Sequence, residues 1–296
     1  MPPTRKTRNT RKTRKWTADE LRPRIEELFE LPASELPQEA ASLFAAFRRR
    51  LSAGEIRAAE PGPHGWVVHS WVKKGILLGF RLGRIQELVP QGPGAAAYFD
   101  KHTLPLKSLS LSDQIRIVPG GSSIRDGAFI GRGVVLMPPT FVNIGAYVDE
   151  LTLIDSHALV GSCAQIGKRV HLSAGAQVGG VLEPVGALPV IIEDQVLVGG
   201  NCGIYEGTVV KREAVLAAGT ILTGSTPVYD LVNEMVLRPG PGEPLVIPRG
   251  AVVVPGARPA RGKFSLREGL SIYTPLIVKY RDPNTDAATA LESALR

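Results

Sequence analysis

The chain has 296 residues, of which 44% are hydrophobic and 21% are charged, a composition typical of a globular protein. No apolar run approaches the ~20 residues that a membrane-spanning helix needs, and two cysteines are too few for a disulfide framework. The formal net charge of +7 would be compatible with nucleic-acid binding. Residues 1–15 alone carry seven Lys and Arg and no acid, however, so the remaining residues are formally neutral.

Residues 1–15 have no apolar periodicity, and we predict a disordered basic tail there. A weak, salt-sensitive contact of this tail with polyanions is the alternative. The tail is not followed by an apolar segment, so it is not expected to be a signal peptide, and the cytoplasm is the expected location.

Two amphipathic helices are predicted after the tail. Residues 17–30 begin with Thr17 and carry Glu20 three positions later, which is the spacing of a capping box. Residues 38–51 form the second helix, and residues 65–83 predict a strand that leads into a short apolar helix. We therefore predict a small N-terminal α or α/β domain over residues 16–110.

From Val118 onward, an aliphatic residue recurs at every sixth position, eleven times in succession up to Val178. The period breaks near residues 181–190, resumes at Ile192 and continues to Val228. Small residues stand four positions after most of these aliphatic residues. Such a hexapeptide repeat predicts a parallel β-helix, in which each unit supplies one short strand and one corner. A β-sandwich would alternate with a period of two instead.

The predicted fold class is thus mainly β, with the β-helix over residues 111–260. Proline and glycine at the break in the period predict a projecting loop near residues 181–190. Residues 261–296 form a C-terminal extension, for which we predict a strand followed by a helix that Asn284 or Thr285 would cap. The period alone does not determine the handedness of the coil.

A group of strings is far more specific than the repeat itself: VNIGAYVDE, VGSCAQIGK, VHLS and GGVLEP. They resemble the tetrahydrodipicolinate N-succinyltransferase family, and the resemblance extends from about Gly65 to Tyr280. It implies a left-handed β-helix and a homotrimer with active sites between subunits. It also implies transfer of succinyl from succinyl-CoA to the amino group of L-2-amino-6-oxopimelate, the opened form of tetrahydrodipicolinate, in lysine biosynthesis, without a metal.

That reaction needs a base for the acceptor amine and cationic donors for two carboxylates. By match to the family motif, Asp155 corresponds to the catalytic aspartate and Arg116 to the substrate-binding arginine. Arg132 and Arg125 are weaker candidates for the carboxylates. The alternative interpretations are a turn aspartate that accepts backbone N–H groups and solvated arginines.

A second catalytic acid of the family aligns with Gly203, so the sequence departs from the family pattern there. Glu206 stands three residues later and is a candidate substitute, although it would equally suit an exposed position of the repeat. The departure leaves room for a related CoA-dependent N-acetyltransferase that acts on the same or another amino acid.

Candidate contacts for CoA come from the late segment RPARGKFS, which resembles the family, and from small residues at the corners. The candidates are Arg258, Arg261 and Lys263 for the phosphates, and Gly199, Gly200 and Ala218 for the pantetheine arm.

Three other functional interpretations are weaker. His157 or His171 could serve as the base, as histidine does in many hexapeptide acyltransferases. A zinc-dependent carbonic anhydrase would need a third histidine in the repeats, which the sequence lacks. A non-catalytic trimeric solenoid with a polyanion-binding tail is the alternative from another class.

Overall fold

The computed structural model of the protein describes residues 16–88, 98–240 and 242–281. The N-terminal region contains α1 (Ala18–Phe29), a 3-10 turn (Ala33–Glu35), α2 (Ala40–Ser52), β1 (Ala59–Gly62), β2 (Gly65–Val68), α3 (Ser70–Leu82), β3 (Ile85–Leu88) and β4 (Tyr98–Lys101). Within the described ranges, no helix has both the length and the apolar character that crossing a lipid bilayer requires. The tail of residues 1–15 lies outside the described residues.

The predicted helices are confirmed, with bounds one or two residues from those expected. The backbone N–H and the hydroxyl of Thr17 both donate to the carboxylate of Glu20, at 2.9 and 3.0 Å, so the predicted capping box is present. Leu21, Phe47 and Ile76, from three different helices, have no exposed surface. The three helices therefore share one apolar core.

A 3-10 turn (Leu111–Asp113) leads into the β-helix. Its strands, with those of the C-terminal region, are β5 (Arg116–Ile117), β6 (Ser123–Ile124), β7 (Phe129–Ile130), β8 (Val135–Leu136), β9 (Phe141–Val142), β10 (Tyr147–Val148), β11 (Leu153–Ile154), β12 (Leu159–Val160), β13 (Gln165–Ile166), β14 (His171–Leu172), β15 (Gln177–Val178), β16 (Ile191–Ile192), β17 (Leu197–Val198), β18 (Gly203–Ile204), β19 (Val209–Val210), β20 (Val215–Leu216), β21 (Ile221–Leu222), β22 (Val228–Asp230), β23 (Met235–Leu237), β24 (Val246–Ile247), β25 (Ala251–Pro259) and β26 (Ser271–Tyr280).

These short strands form the three faces of a prism, and each coil contributes one parallel strand to each face. Face 1 contains β5, β8, β11, β14, β17, β20 and β25; face 2 contains β6, β9, β12, β15, β18 and β21; face 3 contains β7, β10, β13, β16, β19 and β24. The protein is a left-handed parallel β-helix.

The six-residue period corresponds to the core of this prism. From β6 to β21, the second residue of each strand points inward, and these aliphatic side chains, from Ile124 to Leu222, are at most 7% exposed. The predicted first position of the repeat, Val118, is wrong, because in β5 it is Ile117 that pairs with Leu136, and Ile117 is 40% exposed. Backbone N–H groups donate to carbonyls one coil later, as from Asp155 to Leu172 at 2.8 Å. The core and the ladders thus repeat together, and each coil satisfies its polar backbone on its neighbours.

The corners between faces form three edges. The first edge joins face 1 to face 2 through four-residue corners at 155–158, 173–176, 199–202 and 217–220. The second edge joins face 2 to face 3, and here the chain makes excursions of twelve residues (179–190) and twenty-three residues (223–245) on either side of an ordinary corner at 205–208. The predicted projecting loop is the first of these excursions.

The prediction that the six-residue period continues to Val228 is wrong beyond Leu222. Val228 is buried, but it lies in β22, which pairs antiparallel with β23 and parallel with β26. The next coil strand, β24, begins only at Val246. An aliphatic residue falls at the expected spacing because the excursion has an apolar strand of its own, so the spacing alone does not identify a coil.

Strands β25 and β26 form a long antiparallel hairpin, with α4 (Lys263–Arg267) at its tip. The strand predicted for the C-terminal extension is therefore present, whereas the predicted helix near Asn284 lies outside the described residues. The Tyr280 hydroxyl donates to the carboxylate of Asp230 at 2.6 Å, which fastens the hairpin to the second excursion.

The N-terminal domain packs on face 3. The guanidinium of Arg57 lies 3.7 Å from the ring centroid of Tyr147 and donates to Gln165 at 3.0 Å. The indole N–H of Trp66 donates to Glu193 at 3.1 Å. The N-terminal domain therefore covers part of face 3.

Candidate active site

Asp155 opens a corner of the first edge, directly after the buried end of β11. Its N–H donates to Leu172 of the next coil, and its carbonyl accepts from the hydroxyl of Thr140 in the preceding coil at 3.1 Å. Its half-buried carboxylate accepts the Ser156 N–H at 2.7 Å and forms no ion pair with another described residue. The backbone is thus held from both sides while the carboxylate remains able to accept a proton.

The small residues predicted to contact CoA lie on the same edge as Asp155. A Cβ added to the buried Gly199 would stand 2.5 Å from the backbone nitrogen of Ala218, so only glycine fits there. Gly200 is half-buried, Ala218 is exposed, and neither backbone N–H donates to another described residue. Coils stack about 4.8 Å apart, so Gly199 lies about 10 Å from Asp155 along the axis. The shelf, as we name the corners 199–202 and 217–220 of the first edge, presents the backbone N–H groups of Gly200 and Ala218.

The C-terminal hairpin stands at the far end of this shelf. The Tyr273 hydroxyl accepts the Ile221 N–H at 2.6 Å and so ties β26 to the last strand of face 2. On the hairpin, Arg258 is half-buried, and its buried Nε has no hydrogen-bond partner among the described residues. Arg261 and Lys263 are exposed near the tip. The three cations lie on or near the tip of the hairpin, whose strand β25 pairs with β20, the last coil strand on face 1 before the hairpin.

The three candidate arginines for the substrate carboxylates lie in different parts of the structure. Arg116 is exposed on β5, two strands before β11 on face 1, and forms no ion pair with a described residue. Arg132 is exposed on the third edge, between faces 3 and 1, and is not brought to the edge of Asp155. The Arg125 guanidinium contacts the Asp100 carboxylate and the Leu104 carbonyl, which gives it a structural role. Of the three, Arg116 alone lies in a strand of face 1, the face that ends at the edge of Asp155.

The second edge carries a groove of about 730 Å³ between its two excursions. The corner 205–208 forms the floor, and Glu206 lies in it with Glu183 and Glu243 on the walls. Glu206 is exposed, and its carboxylate accepts the Gly224 N–H of the next coil at 2.7 Å. Glu206 therefore bounds a cavity, but one on a different edge from Asp155.

A side chain that the sequence did not single out is Tyr205, whose ring lies across the floor of this groove. It covers both Gly203, where the family pattern has an acid, and Gly179 of the preceding coil. The signal that was available is the pair of glycines that stack there. The two glycines are 24 residues apart. Because the register pairs Gln177 with Gly203, 26 residues apart rather than 18, the sequence hides the fact that Gly179 lies opposite Tyr205.

The first excursion is anchored from the N-terminal domain by Lys73 of α3. The lysine has no exposed surface, and its ammonium donates to the Ala187 carbonyl at 2.5 Å. Burial lowers the pKa of Lys73, and burial raises the pKa of the nearby Cys163 thiol to about 12. One wall of the groove is thus anchored by a buried lysine, and the raised pKa of the neighbouring Cys163 favours its thiol form over the thiolate.

The two candidate histidines have different surroundings. His157 is exposed at the corner that Asp155 opens, and its carbonyl accepts from Gln177 at 3.1 Å. His171 is half-buried on face 1, between Leu153 and Leu197. Within the described ranges, no group of three or more His, Cys, Asp or Glu residues is arranged to hold a metal ion.

Two protein-family models match this chain, one in the N-terminal domain and one in the β-helix. Residues 20–82 match the model of the tetrahydrodipicolinate N-succinyltransferase N-terminal family, and residues 189–224 match the hexapeptide repeat of succinyl-transferase. These matches cover parts of the helical domain and of the later coils.

Full-length similarity extends this result. A protein of Nitrobacter winogradskyi and one of Bradyrhizobium diazoefficiens are each 45% identical over 253 residues, which cover 83% of this chain and 86% of theirs. A protein of Dechloromonas aromatica is 39% identical over 282 residues, 92% of this chain and 97% of its own. All three are named 2,3,4,5-tetrahydropyridine-2,6-dicarboxylate N-succinyltransferase. At this identity and coverage, the chain belongs to the acyltransferase family of the tetrahydrodipicolinate N-succinyltransferases.

Proposed function

We propose that the protein transfers the succinyl group of succinyl-CoA to the amino group of L-2-amino-6-oxopimelate, the opened form of tetrahydrodipicolinate. The relatives' printed names support the acceptor and the acyl group. The observation that carries the proposal is the first edge, where an unpaired carboxylate is followed by coils of small residues and then by three cations. An acyl-CoA molecule has the complementary order of thioester, pantetheine arm and phosphates.

Asp155 is the proposed general base. The acceptor amine attacks the thioester carbonyl only when it is neutral, and a carboxylate within hydrogen-bond reach removes the proton. The C–N bond forms, the C–S bond breaks, and CoA leaves as the thiolate. The proton on Asp155 then returns to solvent or to the thiolate.

The shelf supplies donors to the acyl-CoA. The N–H groups of Gly200 and Ala218 are not used by described residues, and they are suited to the amide carbonyls of the pantetheine arm. Backbone donors of this kind also stabilise an oxyanion, since their positions are fixed before the reaction. Arg258, Arg261 and Lys263 are proposed partners of the CoA phosphates.

The acceptor is proposed to bind between subunits of a homotrimer. In one chain, face 2 separates Asp155 from the groove that contains Glu206. A neighbouring copy that presents its groove to the first edge would bring the two together, with Arg116 holding an acceptor carboxylate. Arg132 remains a weaker proposal for this role because it lies on the third edge. We expect the enzyme in the cytoplasm, where CoA thioesters are made.

The test is thiol release by the purified protein with freshly generated tetrahydrodipicolinate and either succinyl-CoA or acetyl-CoA. The proposal expects rapid release with succinyl-CoA and at most slow release with acetyl-CoA. Preference for acetyl-CoA would replace the donor and favour the N-acetyltransferase alternative that Gly203 raises. No release with either donor would contradict the proposed acceptor.

A further inference from the structure

The floor of the second-edge groove is built to seat the ring of Tyr205. A Cβ added to Gly203 would lie 2.5 Å from Cε2 of this ring and 2.9 Å from its hydroxyl oxygen, and a Cβ on Gly179 would lie 2.9 Å from Cδ1. Such contacts are far inside van der Waals distance, so two neighbouring coils must lack a side chain for the ring to lie flat there. The phenol occupies the volume that a side chain at residue 203 would fill.

The backbone of Tyr205 is fixed, while its hydroxyl is not engaged. Its N–H donates to Leu222 at 3.0 Å, and its carbonyl accepts from the N–H and the hydroxyl of Thr208, at 3.2 and 2.7 Å. Within the described part of the chain, the phenol oxygen makes no hydrogen bond. A half-buried tyrosine hydroxyl normally has a partner. Tyr205 lines the groove, and its hydroxyl lies beside Gly203 at the border of the groove with face 2, where a ligand could supply that partner.

The charge of the groove indicates which part of the substrates it receives. Its described lining includes Glu183, Glu206 and Glu243 but no Lys or Arg. The CoA phosphates, the succinyl carboxylate and the acceptor's own two carboxylates are all repelled by such a lining. The one substrate group that the lining attracts is the amino group of the acceptor in its ammonium form. The opposite charge, carried by Arg258, Arg261 and Lys263, lies on the hairpin beyond the first edge.

We propose that the hydroxyl of Tyr205 contacts the acceptor, accepting a hydrogen bond from its amino group, and so determines the affinity for the amine substrate but not for acyl-CoA. This inference rests on the proposed function, because it assigns one substrate of that reaction to the groove. It also explains why residue 203 is a glycine. The glycine leaves room for the phenol of Tyr205, which supplies a polar group where the family pattern has an acid.

The first test is Tyr205→Phe, which removes the hydroxyl and keeps the ring. The matched control is Tyr229→Phe, since Tyr229 is also half-buried but does not line the groove. We expect KM for the acceptor to rise about fivefold, the effect of losing one hydrogen bond, while KM for succinyl-CoA stays within about twofold. An unchanged acceptor KM, or an equal rise in both KM values, would overturn the proposal.

A second test moves the phenol without removing it. Gly203→Ala places a methyl group against the ring, so it should raise the acceptor KM to a similar extent. In the Tyr205→Phe background the same substitution should have little further effect, because both changes break one contact. Fully additive effects would show that Gly203 acts independently of the hydroxyl and would contradict the proposed contact.

Equilibrium binding separates this inference from the proposed reaction. L-2-aminopimelate keeps the amine and both carboxylates but cannot cyclise, and calorimetry measures its affinity without turnover. Weaker binding by Tyr205→Phe than by wild type and Tyr229→Phe supports the contact even if no thiol is released. Equal affinity of all three proteins for L-2-aminopimelate contradicts the proposed contact, whether or not the wild type is an active succinyltransferase.

Discussion

The first and second edges of the prism use the same six-residue unit in different ways. On the first edge, four successive corners from residue 155 to residue 220 each contain four residues, so the surface is a regular ladder of small residues and backbone N–H groups. On the second edge, excursions of twelve and twenty-three residues surround one ordinary corner and build a groove from side chains. Regular corners suit an extended ligand, whereas excursions suit a compact one.

The excursions do not disturb the coil. Gln165 pairs with Ile191 across the first excursion, and Val209 pairs with Val246 across the second, in the same parallel register as uninterrupted coils. The backbone of each coil is bonded to the coils above and below, so a corner of any length that returns to its starting point is tolerated. The difference between the edges is therefore one of loop length on a common frame.

The largest effect is expected on the first edge, when the proposed base Asp155 is neutralised. Asp155→Asn should fold normally and lower kcat at least about 100-fold, because a general base contributes that much or more. Asp149→Asn is the matched control, since Asp149 holds the same corner position on the third edge and caps the Glu150 N–H at 2.8 Å. Steady-state thiol release measures both. Equal losses in the two variants would mean that the corner aspartates are structural.

The second edge is tested by releasing its first excursion. Lys73→Met keeps the length of the side chain but loses the bond to Ala187, so the wall of the groove should loosen. We expect the acceptor KM to rise about tenfold, the effect of losing a hydrogen bond from a charged group, with the melting temperature nearly unchanged because a buried charge is also removed.

Lys74→Met is the control for Lys73, because Lys74 is the adjacent lysine and pairs with Glu30 at 3.1 Å, away from the groove. Limited proteolysis within residues 179–190 should accelerate for Lys73→Met alone. If both variants behave as wild type, the excursion does not depend on this anchor.

The far end of the first edge is expected to affect only the donor. Arg258→Ala should raise KM for succinyl-CoA about fivefold, the effect of losing one ion pair at a partly exposed site, and leave the acceptor KM unchanged. Arg267→Ala controls for charge, because Arg267 is exposed on α4 and pairs with its neighbour Glu268. A rise in the acceptor KM instead would place the acceptor, rather than CoA, beside the hairpin.

The smallest expected effect is on the pH dependence of stability, through Asp230 in the second excursion. Burial alone would raise the pKa of Asp230, but hydrogen bonds from Tyr280 and Asn233 hold it below the ordinary value of 3.8. The unfolded chain then binds the proton more readily, so this contribution to stability is present above about pH 4 and is lost as the pH falls through the folded pKa.

We expect the melting temperature of Asp230→Asn to depend less on pH than that of wild type between pH 5 and 3. The difference should be about 2 to 4 °C for each kcal/mol that Asp230 contributes to the free energy of unfolding. Differential scanning calorimetry on both proteins checks this. Parallel curves would show that other carboxylates determine the acid response.

Much of the fold could be predicted because one rule repeats. The inward residues from Ile124 to Leu222 occur every six positions, and the break near residue 181 is marked by Pro and Gly. The second excursion was missed because its strand β22 places buried Val228 at the expected spacing. A periodic pattern reports burial, and it does not report which strands are neighbours.

The candidate site was predictable only in part. The period places Asp155 at a corner. It does not by itself place Gly199 and Ala218 on the same edge, because the first excursion adds eight residues to the 18-residue spacing between them and Asp155. Tyr205 could not be predicted, because its contacts with Gly179 and Gly203 depend on how one coil lies over another after an eight-residue insertion. Ring packing between coils is a property of the assembled prism rather than of any one repeat.

The hairpin of β25 and β26 also determines how the solenoid stops growing. A stack of parallel coils ends in unpaired strands that invite another copy to continue the ladder. On face 1, β25 pairs with the last coil strand β20 on one side and with antiparallel β26 on the other, and the sheet then passes through β22 to the three-residue strand β23. Reversing direction and finishing on a short strand removes this template on face 1, so the hairpin serves as a terminator for one of the three sheets of the prism.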